Sequence, residues 1–176
     1  MNIEKILASI PSASRDQRNQ MRRNALEKLD GADVAWHEPA QRLLTTLAAQ
    51  ESAEHAELVA EVAGLEPAER VIRAFTAESM TATEEKLIRV LLDHPDSTSA
   101  ELTEKMGWKA QSWHLHFGTM CANRGVYLGP PPYAGQATGQ FYTGILAQFG
   151  ENTSRFTMKP DVAAAFAQLG MKPRTA

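Results

Sequence analysis

The order of elements between Thr83 and Gly170 constrains this chain more than any single motif. Thr83 opens a run in which Leu87, Val90 and Leu91 share one helical face, with Thr83 as the expected N-cap. Lys86 stands three residues on, where a complete capping box needs Glu or Gln. His94-Pro95-Asp96 breaks the run. A second short helix starts at Thr98-Ser99-Ala100-Glu101 with Leu102 and Met106 inward, and Gly107 supplies a tight turn. A third helix is predicted from Lys109 to about Asn123. Val126-Tyr127-Leu128 reads as a short strand, and the run from Gly129 to Gly135, with three prolines, excludes regular structure. Two strand-like runs follow, Gln140 to Phe149 and Ser154 to Met158, joined by a turn at Gly150-Glu151-Asn152-Thr153. In the first, Phe141, Thr143, Ile145, Ala147 and Phe149 are predicted on one face. A last helix starts near Pro160, buries Val162, Ala165, Phe166 and Leu169, and ends at Gly170.

Helix, helix, glycine turn, helix, hairpin is the order of a winged helix-turn-helix, which places its third helix in the DNA major groove. Two segments carry a resemblance to the winged helix-turn-helix superfamily of bacterial DNA-binding proteins. Ser154-Arg155-Phe156-Thr157-Met158-Lys159-Pro160, followed by an Ala-rich helix, resembles the end of the wing. Thr98 to Leu102, running on to Gly107-Trp108, resembles the second helix and turn. The resemblance covers residues 83–170 and rests on element order, not on an invariant motif. It implies a bacterial DNA-binding protein with a role in transcription regulation, and the Ala-rich, Cys-poor composition fits a bacterium or its phage.

On a helical wheel Trp113, Phe117, Met120 and Arg124 cluster as the root of the third helix, flanked by Cys121. Gln111, Ser112, Leu115, His116, Thr119 and Asn123 point elsewhere. Gln pairs with adenine in a bidentate way, and Ser and Thr contact bases or phosphates. The candidate DNA-binding residues are therefore Lys109, Gln111, Ser112, His116 and Thr119, with Arg155 and Lys159 on the wing. Leu115 is apolar on the exposed side and is expected to meet a thymine methyl or a second subunit. Gly118 costs about 1 kcal/mol relative to Ala in mid-helix, which predicts close packing there.

The first part of the chain reads as a helical domain over residues 1–80, for dimerisation or partner binding, followed by the winged helix-turn-helix over 81–176. Ile3, Ile6, Leu7 and Ile10 mark a brief helix stopped by Pro11. Ser14 with Gln17 makes a capping box for a helix from Arg15 to Leu29. Arg15, Arg18 and Arg22 fall on one face of it and form a candidate second phosphate surface, or an ordinary solvated face. A further helix is predicted from His37, with a new one capped by Ser52 and another from Glu66 to Ala77 with Pro67 in its first turn. The fold class is mainly α with a small β-hairpin (α+β).

Net charge is −3 over 176 residues, unevenly placed. Residues 1–108 hold 12 Lys/Arg against 19 Asp/Glu, and residues 109–176 hold 6 against 2. An acidic first part with a basic last part suits a protein that offers one face to an anion. The single cysteine, Cys121, allows no intramolecular disulfide, which fits a reducing cytoplasm. Met1 to Ile10 lacks the long apolar run of a secretory signal, and no stretch approaches the ~20 apolar residues of a membrane span.

Enzyme chemistry finds little footing. There is no Walker loop, no G-x-G-x-x-G, no C-x-x-C and no H-E-x-x-H. His114 and His116 diverge by about 200° on a helix, and His114 and Cys121 are about 10.5 Å apart along the axis. No metal and no cofactor is expected, and the chain reads as a non-enzyme. The first functional reading is a sequence-specific regulator of double-stranded DNA, as a homodimer, with the helix 109–123 in the major groove and the hairpin 140–158 as wing. The alternative is a protein–protein adaptor on a winged-helix frame; an accessory subunit of a nuclease or modification enzyme is a third.

Overall fold

Local capping boxes set four of the helix starts. The structure, a computed structural model, describes residues 3–109, 112–132 and 140–174. α1 (Ile3–Ser9) runs into a 3-10 turn at Ile10–Ser12, followed by α2 (Arg15–Asp30), a 3-10 turn at Val34–Trp36 and α3 (His37–Ala63). At α2 the capping box forms as read: Gln17 N–H donates to Ser14 Oγ at 3.2 Å, and Ser14 N–H donates to Gln17 Oε1 at 2.8 Å. α3 is one helix of 27 residues and runs straight through Ser52. From Ala40 to Ala63 the sequence holds no Gly or Pro and is rich in Ala, Leu, Glu and Gln, so nothing competes with continuing the helix. Ile10, Ala25, Ala40, Leu43 and Leu47 form the core of the first unit, with Ile6, Met21 and Leu29 packed against them.

The remaining elements are α4 (Pro67–Ala77), α5 (Ala82–Asp93), β1 (Ser97–Thr98), α6 (Ser99–Lys105), α7 (Trp113–Asn123), α8 (Gly125–Leu128), β2 (Ala147–Gly150), β3 (Arg155–Met158) and α9 (Pro160–Gln168). The chain divides into units at Leu58/Val59, not at residue 80. α4 accounts for the difference. Its Val71, Ala74 and Phe75 belong to the same core as α5, α7 and α9, and Phe75 meets Phe166 edge-on at 5.1 Å. A helix read in isolation does not reveal which core its apolar stripe enters.

Four further expectations are corrected. α5 is capped by Thr81, not Thr83, because Glu84 then stands at the third position and both reciprocal bonds form, at 2.8 and 3.2 Å. α7 begins at Trp113, four residues after Lys109; Trp113 N–H donates to Thr103 Oγ1 of α6 at 2.9 Å, so a neighbouring helix supplies its cap. Val126-Tyr127-Leu128 lies in the single helical turn of α8, with Leu128 buried. The run 140–149 is not one strand. Tyr142–Ile145 forms a 3-10 turn that buries both Thr143 and Gly144, and only Ala147–Gly150 is extended.

The sheet has three antiparallel strands in the order β1-β3-β2. Phe149 lies opposite Phe156 and Ala147 opposite Met158, while Ser97 of β1 lies opposite Phe156. β3 is thus central, and it buries Phe156 and Met158 in alternation. α6 ends in a Schellman motif: Gly107 N–H donates to Glu104 O, Trp108 N–H donates to Thr103 O, and Gly107 takes a φ of 71°. α9 ends the same way at Gly170, with a φ of 84°.

Candidate nucleic-acid interface

α7 is rooted by fully buried aromatic side chains. Trp113 stacks near Phe117 at 4.6 Å and meets Phe156 of β3 at 5.3 Å. The Trp113 indole N–H donates to Leu87 O at 3.1 Å and ties α7 to α5. Gly118 lets the 3-10 turn approach: a Cβ there would stand 3.2 Å from Thr143 Oγ1, and that hydroxyl donates to His114 O at 3.0 Å. The close packing predicted from Gly118 is therefore present, and its partner is Thr143.

Among the described residues these anchors leave one side of α7 at least partly exposed. Leu115, Thr119 and Asn123 are exposed, and Ser112 and His116 are half-buried at its edge. His116 is held edge-on to Trp108, ring centres 4.9 Å apart. The Thr119 hydroxyl donates to Leu115 O at 2.9 Å. Residues 113–123 include no Asp, Glu, Lys or Arg. Lys109 is exposed in the segment before α7, displaced from the helix start where it was expected. Gln111 lies outside the described residues, as do 133–139 of the Pro/Gly loop.

The other predicted cations are engaged elsewhere. The Arg155 guanidinium donates to Asp96 O and lies 3.4 Å from the Glu101 carboxylate. Hydrogen bonding from Thr98, with a contribution from Arg155, holds Glu101 below the usual carboxylate range. Lys159 Nζ donates to Ile145 O at 2.9 Å, bracing the base of the hairpin. In the first unit Arg18 grips Glu54 at 2.6 and 2.8 Å, and Arg22 grips Glu51 at 2.6 and 2.7 Å. Arg15, on the same face of α2, is exposed. The row of arginines is real, but two of its three members are neutralised by carboxylates of α3.

Sequence reading also missed a polar junction beneath α7. His114 Nδ1 lies 2.7 Å from Ser99 Oγ, and burial lowers the His114 pKa. The Thr103 hydroxyl donates to Ser99 O at 2.7 Å while accepting from Trp113 N–H. Ser99 and Thr103, four apart on α6, were the visible signal. Burial pushes the Cys121 thiol far above its ordinary pKa, so it stays protonated. Among the described residues no group of three or more His, Cys, Asp or Glu could hold a metal ion, and no helix is long and apolar enough to cross a membrane.

Comparisons with protein-family models, with curated proteins and with solved structures found no match.

Proposed function

We propose that residues 81–176 form a winged helix-turn-helix that binds double-stranded DNA, with α7 in the major groove and the β2–β3 hairpin as wing. The observation that carries this reading is the free face of α7. Ser112, His116, Thr119 and Asn123 lie along the same side as one leucine, with no carboxylate among them, and the glycine turn at Gly107 precedes the helix by six residues. Such a strip approaches a polyanion without repulsion and brings hydrogen-bonding groups to base edges. The order helix, strand, helix, turn, helix, hairpin supports the same reading. Lys109 supplies a phosphate contact beside the helix. The protein is a cytoplasmic transcriptional regulator without catalytic activity, and its first helices pair two copies on a pseudo-palindromic site.

The adaptor reading keeps one observation in its favour. Arg155 and Lys159, the cations of the wing, are held by Glu101 and by Ile145 O within the domain. Fluorescence anisotropy on a short random duplex across a salt series separates the two. DNA binding weakens linearly on a log–log salt plot, and Lys109→Ala lowers the slope by about 1. A folded protein that binds no duplex at low salt overturns the DNA-binding reading and favours the adaptor.

A further inference from the structure

We infer that α7 selects A·T base pairs and reads thymine through its 5-methyl group, with Leu115 as the specificity-determining residue. The inference rests on the DNA-binding reading and goes further, to the class of sequence bound. Leu115 is 61% exposed, in the middle of the free face, one turn from Ser112 on one side and from Thr119 on the other. Thr119 adds a methyl group to this face, while its hydroxyl, which donates to Leu115 O, keeps its acceptor capacity.

The side chains of α7 itself offer none of the common charged pairings for G·C. Guanine is contacted chiefly by Arg or Lys at O6 and N7, and cytosine by Asp or Glu at N4. Residues 113–123 contain none of these four types. In the major groove thymine alone presents a methyl group, beside the O4 acceptor, while its adenine partner presents N7 and N6–H. A leucine among small hydrogen-bonding groups matches that edge. It matches a protein partner poorly. A stable protein interface buries about 800 Å² on each side around an apolar core, and among the described residues of α7 Leu115 is the one exposed large apolar side chain.

The test compares three short duplexes by anisotropy at low salt: alternating A–T, the same duplex with uracil in place of thymine, and alternating G–C. Wild type is expected to bind the thymine duplex about fourfold more tightly than the uracil duplex, the effect of burying one methyl-sized group. Leu115→Ala is expected to bind those two equally, with an unchanged salt slope. Equal binding of the thymine and uracil duplexes by wild type, or a preference for G–C, overturns methyl readout but leaves DNA binding standing if the salt slope is steep. Absence of binding to all three by the folded protein overturns both.

Discussion

Arg124 and Glu84, 40 residues apart in sequence, meet as a buried bidentate ion pair, with distances of 2.6 and 3.1 Å. Glu84 Oε2 also accepts the Thr81 N–H at 2.8 Å, so one carboxylate both caps α5 and anchors the end of α7. The guanidinium lies 4.6 Å from the Phe75 ring and donates to Glu78 O, which adds the end of α4 to the junction. The Arg124 side chain is 4% exposed. Removing its counter-charge strands a buried cation, so Glu84→Gln is expected to cost about 3–5 kcal/mol in urea unfolding. Adding Arg124→Met to that variant should restore part of the loss, since it removes the stranded charge.

Acid should weaken both units. Burial raises the Glu84 pKa, but hydrogen bonds from Arg124 and Thr81 outweigh it, and the carboxyl titrates below its ordinary value. Hydrogen bonds from Arg18 and then Gln50 hold Glu54 at about 2. A depressed folded pKa adds stability above the unfolded value of about 4.3, and that stability is lost as pH falls through the folded pKa. Thermal unfolding followed by circular dichroism should show the melting temperature falling steeply below about pH 4. Glu84→Gln should give a shallower fall over the same window.

Gly118 should resist the usual helix-stabilising substitution. Gly→Ala in a helix interior gains about 1 kcal/mol in propensity. Here the new methyl meets Thr143 Oγ1 at 3.2 Å, and Thr143 is buried and bonded to His114 O. Gly118→Ala is therefore expected to lower stability. In a Thr143→Ala background the same change should recover a gain, giving a positive coupling in a double-mutant cycle of denaturant unfolding.

Arg18 and Arg22 should contribute little to duplex binding. Both guanidiniums are already held by carboxylates, Arg18 through two nitrogens on Glu54 and Arg22 through Nη2 on Glu51. Releasing them for phosphate would leave the carboxylates facing the DNA. Arg18→Ala and Arg22→Ala are expected to change the salt slope of binding much less than Lys109→Ala, by anisotropy under matched conditions. A loss of one whole unit of slope for either arginine would show instead that α2 carries a phosphate surface.

The elements most legible in the sequence were those closed by neighbours along the chain. Ser14 with Gln17, Thr98 with Glu101, Pro67 and Pro160 at helix starts, and Gly107 and Gly170 at helix ends all act over a few residues. The β3 strand and the turn before it were legible for the same reason. Period failed where a short apolar run suits more than one structure, as at Val126-Tyr127-Leu128 and along 140–149.

By itself the sequence determined the order of α4, α5, α6 and α7, the glycine turn after α6 and the uncharged composition of α7. Only the tertiary structure decided where α7 starts, because the cap of Trp113 comes from Thr103, ten residues away on another helix. It also decided which cations are free. Arg18 reaches Glu54 across 36 residues and Arg155 reaches Glu101 across 54. A capping box depends on the conformation of four successive residues and is fixed by their identity. An ion pair between distant elements depends on which surfaces the hydrophobic core brings together, and that is a property of the packed chain as a whole.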